Sequence, residues 1–181
     1  MPGRLIIMSL IPFYLGQAPD QSGRLITELW SFTHDQLEEH HDFIQWLFPL
    51  EVPSPVNRHA PTLSTADIEA FRARPRLRDN LLRSLDLMLN FYGLEREAPL
   101  NPALAPEIVL APNFQDRSDH WLAPGNHNHL RLTRILHCLE LCGCHAEAAA
   151  LLRRLELIAD SHPRAVTAET LTYWRHAVAA E

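Results

Sequence analysis

Apolar positions recur at helical spacing along most of the chain and almost nowhere alternate as they would in a strand. Leu25, Ile26, Leu29 and Trp30 share one face of a helix predicted over 22–30. Thr33 followed by Gln36 is a capping-box signature, in which hydroxyl and amide reciprocally satisfy two orphan backbone N–H groups. It predicts a second helix running to Phe48 and stopped by Pro49. Four prolines between Pro49 and Leu63 predict an irregular connection. Ser64 caps a short helix that Pro75 ends or restarts, and a long helix follows to Phe91 with Gly93 as its stop. Residues 95–125 hold five prolines with Phe114 and Trp121, and read as a long loop packed by its own aromatics. Asn126 caps a helix ended by Gly143, and two more are predicted over His145–Asp160 and Thr167–Ala180. The expectation is an all-α fold: residues 1–181 as one domain of about seven helices with long Pro-rich connections.

One stretch breaks the pattern. "HNHLRLTRIL" (127–136) sets two histidines and two arginines into an otherwise buried-looking helix. At about 100° per residue, Leu132, Ile135, Leu136, Leu139 and Cys142 form an apolar face, and Leu130 and Leu141 a second edge. His127, Arg131 and Arg134 lie between them at i, i+4 and i+7, so the basic stripe is expected to point inward or into a cleft. A buried guanidinium needs a partner. On the second helix Glu38, His41 and Gln45 line one side at i, i+3 and i+7, with Asp42 and Trp46 next in angle. The two seams are therefore expected to face each other, the arginines on the carboxylates of Glu38 and Asp42. Two readings stay open: an ion-pair network that fixes helix register, or a pocket built from the same residues.

Charge and composition narrow the classes. The 181 residues carry a net charge of −6, which argues against a bulk nucleic-acid or anionic-membrane binder. All 16 fixed cations are arginine, so cationic contacts can be planar and bidentate. Arg4–Gly16 is a short apolar run, too short to span a bilayer and only faintly like a leader peptide with cleavage near Ala18. Three cysteines within seven residues make no disulfide framework, which points to a reducing, cytoplasmic setting.

"FYLGQAPDQSGR" (13–24), "LEEHHDFIQWLFPL" (37–50), "FRARPRLRDNLLRSLDLMLNFYGL" (71–94) and "NHNHLRLTRIL" (126–136) together resemble the conserved region of opioid growth factor receptors. The resemblance covers roughly 13–145, leaving 146–181 as a C-terminal helical extension. It favours a mature first segment, since cleavage near Ala18 would cut the first motif. Vertebrate members of that family are described as membrane-associated, nuclear or perinuclear receptors for the pentapeptide Met-enkephalin that restrain proliferation. Their long repeat-bearing tails have no counterpart here, and the short, all-arginine chain looks like a bacterial homologue. The resemblance implies the fold, leaves the ligand open and assigns no catalytic residue.

Other constellations carry less. Glu38-x-x-His41 is half of a helical di-iron motif, without a second copy. Cys138, Cys142, Cys144 and His145 have thiolate and imidazole chemistry suited to zinc, but lack the usual two-pair spacing. Five arginines between Arg72 and Arg83 read as a solvated face, with Asp79–Arg83 and Arg83–Asp86 pairs at helical spacing. Tyr14 and Trp46 offer either an aromatic wall or two core anchors. The sequence thus points to a non-enzymatic, soluble domain without cofactor or membrane span. It is expected to bind a short peptide or small polar ligand between the second helix and the 126–143 helix. Arg131 and Arg134 would take a carboxylate, Glu38 or Asp42 an amine, and Trp46 would cover an apolar side chain. The alternative is a protein- or nucleic-acid adaptor acting through Arg72–Arg83, and behind it a metal-dependent enzyme.

Overall fold

The structure, a computed structural model, describes residues 10–179 apart from 100 and 102. Of the candidate leader over Arg4–Gly16, residues 4–9 lie outside the described residues.

The chain is predominantly helical, with ten helices and one hairpin among the described residues. Helices α1 (Leu10–Tyr14), α2 (Ile26–Leu29), α3 (His34–Glu39) and α4 (Ile44–Leu47) are short. Next come α5 (Thr65–Ala73), α6 (Pro75–Tyr92), strands β1 (Leu94–Glu97) and β2 (Glu107–Leu110), and α7 (Phe114–Ser118). Then α8 (His127–Leu141), α9 (His145–Ser161) and α10 (Ala168–Ala179) complete it.

Where a terminator is written in the sequence, the helix obeys it. Ser64 and Asp67 form a capping box on α5. Arg74 is extended before Pro75, as the proline ring requires of its predecessor, so α6 restarts with Pro75 in its first turn. Gly93 closes α6 at φ 75°, a left-handed conformation that costs glycine little. Asn126 accepts from the Asn128 amide to start α8.

Three expectations are corrected. The helix predicted over 22–30 shrinks to one turn, because Asp20 holds the preceding loop through the Ser22 and Arg24 amides. The helix predicted from Thr33 to Phe48 keeps its capping box but breaks at His40, which is extended at φ −86° and ψ 133°, and restarts at Ile44. Within 95–125 lie an antiparallel hairpin, pairing Leu94 with Leu110 and Glu97 with Glu107, and helix α7.

The core is one cluster centred on α6 and α8. Leu77, Leu81, Leu85 and Met88 of α6 and Leu132, Ile135, Leu136 and Leu139 of α8 are buried, as their spacing requires. Phe13, Tyr14, Trp46 and Phe71 fill the space above them. An aromatic chain links the elements: Tyr92, Trp121, His129 and Trp174 stack edge to face at centroid separations of 5.4, 6.3 and 5.7 Å. Trp121 donates to the Tyr92 carbonyl at 3.1 Å and Trp174 to the His129 carbonyl at 3.1 Å. The second of these bonds locks α10 onto α8, so residues 146–179 pack into the body of the domain.

Candidate ligand-binding cleft

The break between α3 and α4 decides the chemistry of the site. A helix that stops leaves its last carbonyls without N–H partners, and burial makes each unsatisfied carbonyl costly. Side chains fill these positions one by one. Arg131 Nη1 donates to the Leu37 carbonyl at 2.8 Å, and its Nη2 donates to the His40 carbonyl at 2.9 Å and to His41 Nδ1 at 3.1 Å. Turned so that its nitrogen faces them, the Gln45 amide donates to the His41 and Asp42 carbonyls at 3.2 and 3.3 Å. Arg134 Nη1 donates to the Phe48 carbonyl at 3.0 Å, and the Tyr14 hydroxyl donates to the Leu47 carbonyl.

The expected pairing of guanidinium with carboxylate is therefore replaced by guanidinium with backbone carbonyl. Arg131 is buried, and removal from water pushes its guanidinium below the ordinary arginine range. Glu38 does face α8, but it accepts from Asn128 Nδ2 at 3.3 Å and sits 3.3 Å from His127 Nε2. Asn128 Oδ1 in turn accepts from Arg131 at 3.3 Å, so Glu38 reaches Arg131 through an amide. Asp42 points the other way, onto Ser22 Oγ at 2.9 Å and Arg24 at 3.0 Å. Burial alone would raise its carboxyl; the Ser22 hydroxyl and Arg24 outweigh that and hold it below the usual range.

A cleft of about 450 Å³ opens between α8 and residues 41–56. Of the residues expected at a ligand, His41, Gln45, His127, Arg131 and Arg134 line it. Tyr14, Glu38, Asp42 and Trp46 do not. Tyr14 and Trp46 are fully buried, Trp46 with its ring 4.8 Å from that of Phe13, so both are core anchors and no wall for a ligand. Leu130, expected in a second apolar edge, is instead 71 % exposed at the cleft mouth. The apolar walls are Ile44 of α4, Leu130 of α8, and Leu50, Pro55 and Val56, the last three in the 49–63 connection, which has no period to reveal them. His137 and Thr133 of α8 also line it.

The cleft's ionisable lining is cationic or imidazole throughout: His41, His127, Arg131, Arg134 and His137. His41 and His127 meet edge to face at 5.5 Å. Burial, reinforced by Arg131 and His41, pushes His127 down against the pull of Glu38. Burial and Arg134 do the same to His137 against Glu51. Because Arg131 donates to His41 Nδ1 and a guanidinium cannot accept, the His41 proton resides on Nε2.

The remaining candidates resolve as structure. Cys138, Cys142 and Cys144 are buried free thiols, and burial pushes Cys144 up to about 12 and raises Cys138 well above the ordinary thiol value. His145 is exposed and hydrogen-bonded to Glu140 at 2.5 Å. Among the described residues no three His, Cys, Asp or Glu side chains are grouped to hold a metal ion. Arg83 stacks over the Trp30 ring at 4.2 Å, and Asp86 pairs with Arg96 at 2.7 Å, so the predicted Arg83–Asp86 pair does not form. Arg72 donates to the Leu141 carbonyl at 3.1 Å. No described helix is long and apolar enough to cross a membrane.

Comparison with known proteins agrees with the motifs. A family profile described as the opioid growth factor receptor (OGFr) conserved region matches residues 8–181, which takes in α9 and α10. The opioid growth factor receptor of Mus musculus is 40 % identical over 150 residues, covering 81 % of this chain and 23 % of its own. The Homo sapiens receptor is 38 % identical over 128 residues, covering 71 % and 18 %. The opioid growth factor receptor-like protein 1 of Xenopus tropicalis is 34 % identical over 131 residues, covering 70 % and 24 %. The chain thus spans about a quarter or less of these relatives' length. No solved structure matches. With motifs, profile and relatives in agreement, the chain belongs to the opioid growth factor receptor conserved-region family.

Proposed function

We propose that this domain is a non-catalytic binding module whose α8 cleft takes a short peptide or small polar ligand. The observation that carries the reading is the lining: apolar walls around a purely cationic and imidazole set, in a cleft of the volume small ligands occupy. Arg134 spends one nitrogen on Phe48 and receives the ligand's carboxylate on the rest of its fork. His41 adds a neutral Nε2–H donor. Ile44, Leu50 and Val56 cover an apolar side chain, the part expected of Trp46. The names of the relatives, receptors for an opioid growth factor, are in keeping with a peptide ligand. Arg131, engaged by the Leu37 and His40 carbonyls and by His41 and Asn128, shapes the wall.

Calorimetric titration with a panel of short peptides, each as free acid and as C-terminal amide, tests this. The free acids are expected to bind more tightly by about tenfold, the worth of one charge-assisted hydrogen-bond pair. Arg134→Gln should erase that preference, while Glu38→Gln, outside the cleft, should leave it intact. Equal binding of acids and amides by the parent protein, or none, overturns the reading.

A further inference from the structure

The rim of the cleft is more apolar than a small ligand requires. Val56 is 81 % exposed and Leu130 71 %, and they stand on opposite walls, Val56 on the Pro-rich loop and Leu130 on α8. Val52, in the same loop, is 64 % exposed. Single exposed aliphatics need no explanation, but Val56 and Leu130 lining one groove are the mark of a surface meant to be covered. A ligand that fits within about 450 Å³ reaches the floor and leaves the outward faces of these side chains in water. A polypeptide running through the open cleft covers both.

Charge selects the kind of polypeptide. The chain as a whole is acidic, at −6, yet no carboxylate lines this groove. Glu38 and Glu51 lie just outside it, engaged with His127 and His137. The net acidic molecule repels other copies of itself, while its basic groove attracts an anionic segment locally. From the apolar rim and the basic floor together we infer that the α8 cleft is a docking groove for an acidic, leucine-bearing internal segment of a protein partner. Its side-chain carboxylate is held by Arg134 and its aliphatic side chains by Leu130 and Val56. This deepens the cleft reading above and rests on it.

The test uses arrayed twelve-residue peptides, N-acetylated and C-amidated, each carrying two glutamates among three leucines, beside matched peptides with glutamine for glutamate. Labelled full-length protein is expected to bind the acidic set about tenfold more tightly than the neutral set, and less well as salt is raised. Leu130→Ser and Val56→Ser, exposed positions where folding is unaffected, should weaken binding to both sets. Arg134→Gln should abolish only the difference between them. If the protein binds only short peptides with a free C-terminus, the docking groove is refuted and the small-ligand reading stands. If no peptide of either kind binds, both fall. Equal binding of the acidic and neutral arrays refutes the charge assignment and with it the proposal.

Discussion

Arg131 shows how a residue can look like a ligand site and serve as a brace. Its donors reach Leu37 O, His40 O, His41 Nδ1 and Asn128 Oδ1, and none reaches a carboxylate directly. Arg131→Met should therefore strand two buried carbonyls and cost roughly 2–4 kcal/mol. Removing Glu38 in the same protein should give no rescue, because the guanidinium is not there to neutralise that carboxylate. Urea unfolding of Arg131→Met and of the Arg131→Met/Glu38→Leu double variant decides between the two accounts; recovery in the double variant would restore the ion-pair picture. What the sequence allowed at this scale was the burial of Arg131 and its approach to the 37–41 segment. What it hid was the acceptor, since main-chain carbonyls carry no residue signature.

At the scale of elements, the legible helices are those with their own punctuation. Ser64, Pro75, Gly93 and Asn126 bound α5, α6 and the start of α8 where local chemistry demands. The α3–α4 break carries no glycine or proline, and its apolar spacing runs on through His40 and His41 as though helical. The interruption is tertiary: Arg131 draws the carbonyls of Leu37 and His40 from one side, and Ser22 with Arg24 draws Asp42 from the other. The hairpin was equally hard to see, for its two four-residue strands read "LERE" and "EIVL" and are joined across prolines. Gly93 joins α6 to that hairpin. A Cβ there would lie 2.6 Å from the Phe114 Cα, at a φ that side-chain-bearing residues avoid. Gly93→Ala is expected to cost roughly 1–3 kcal/mol. Thermal unfolding measures it; a loss of only a few tenths, as at a solvent-exposed cap, would contradict the packing.

Over the whole molecule, imidazoles drawn at least partly out of water set the response to acid. Burial pushes His127, His129 and His137 below the ordinary range. His129 is the most confined, 5 % exposed, with Nε2 on the Trp121 carbonyl at 3.0 Å and Nδ1 buried without a partner. The unfolded chain takes up these protons more readily than the folded one, so stability falls as pH drops below about 6.5, the ordinary histidine value. Asp42, whose carboxyl is held low, adds a further loss at more acid pH as it protonates. The Tm is expected to decline from pH 7 to pH 5, and His129→Gln should lower it overall while flattening that slope. A flat Tm profile across this interval in the parent protein would show that His129 protonates as freely folded as unfolded.

The tether from Arg134 to the Phe48 carbonyl joins an outer surface to the deepest aromatics, because Phe48 and its neighbour Trp46 are wholly enclosed. Any occupant that grips this guanidinium steadies the peptide behind it. Slower deuterium uptake at Leu47 and Phe48, which lie outside the cleft lining, would then report occupancy and would let the domain sense a visitor through its own interior.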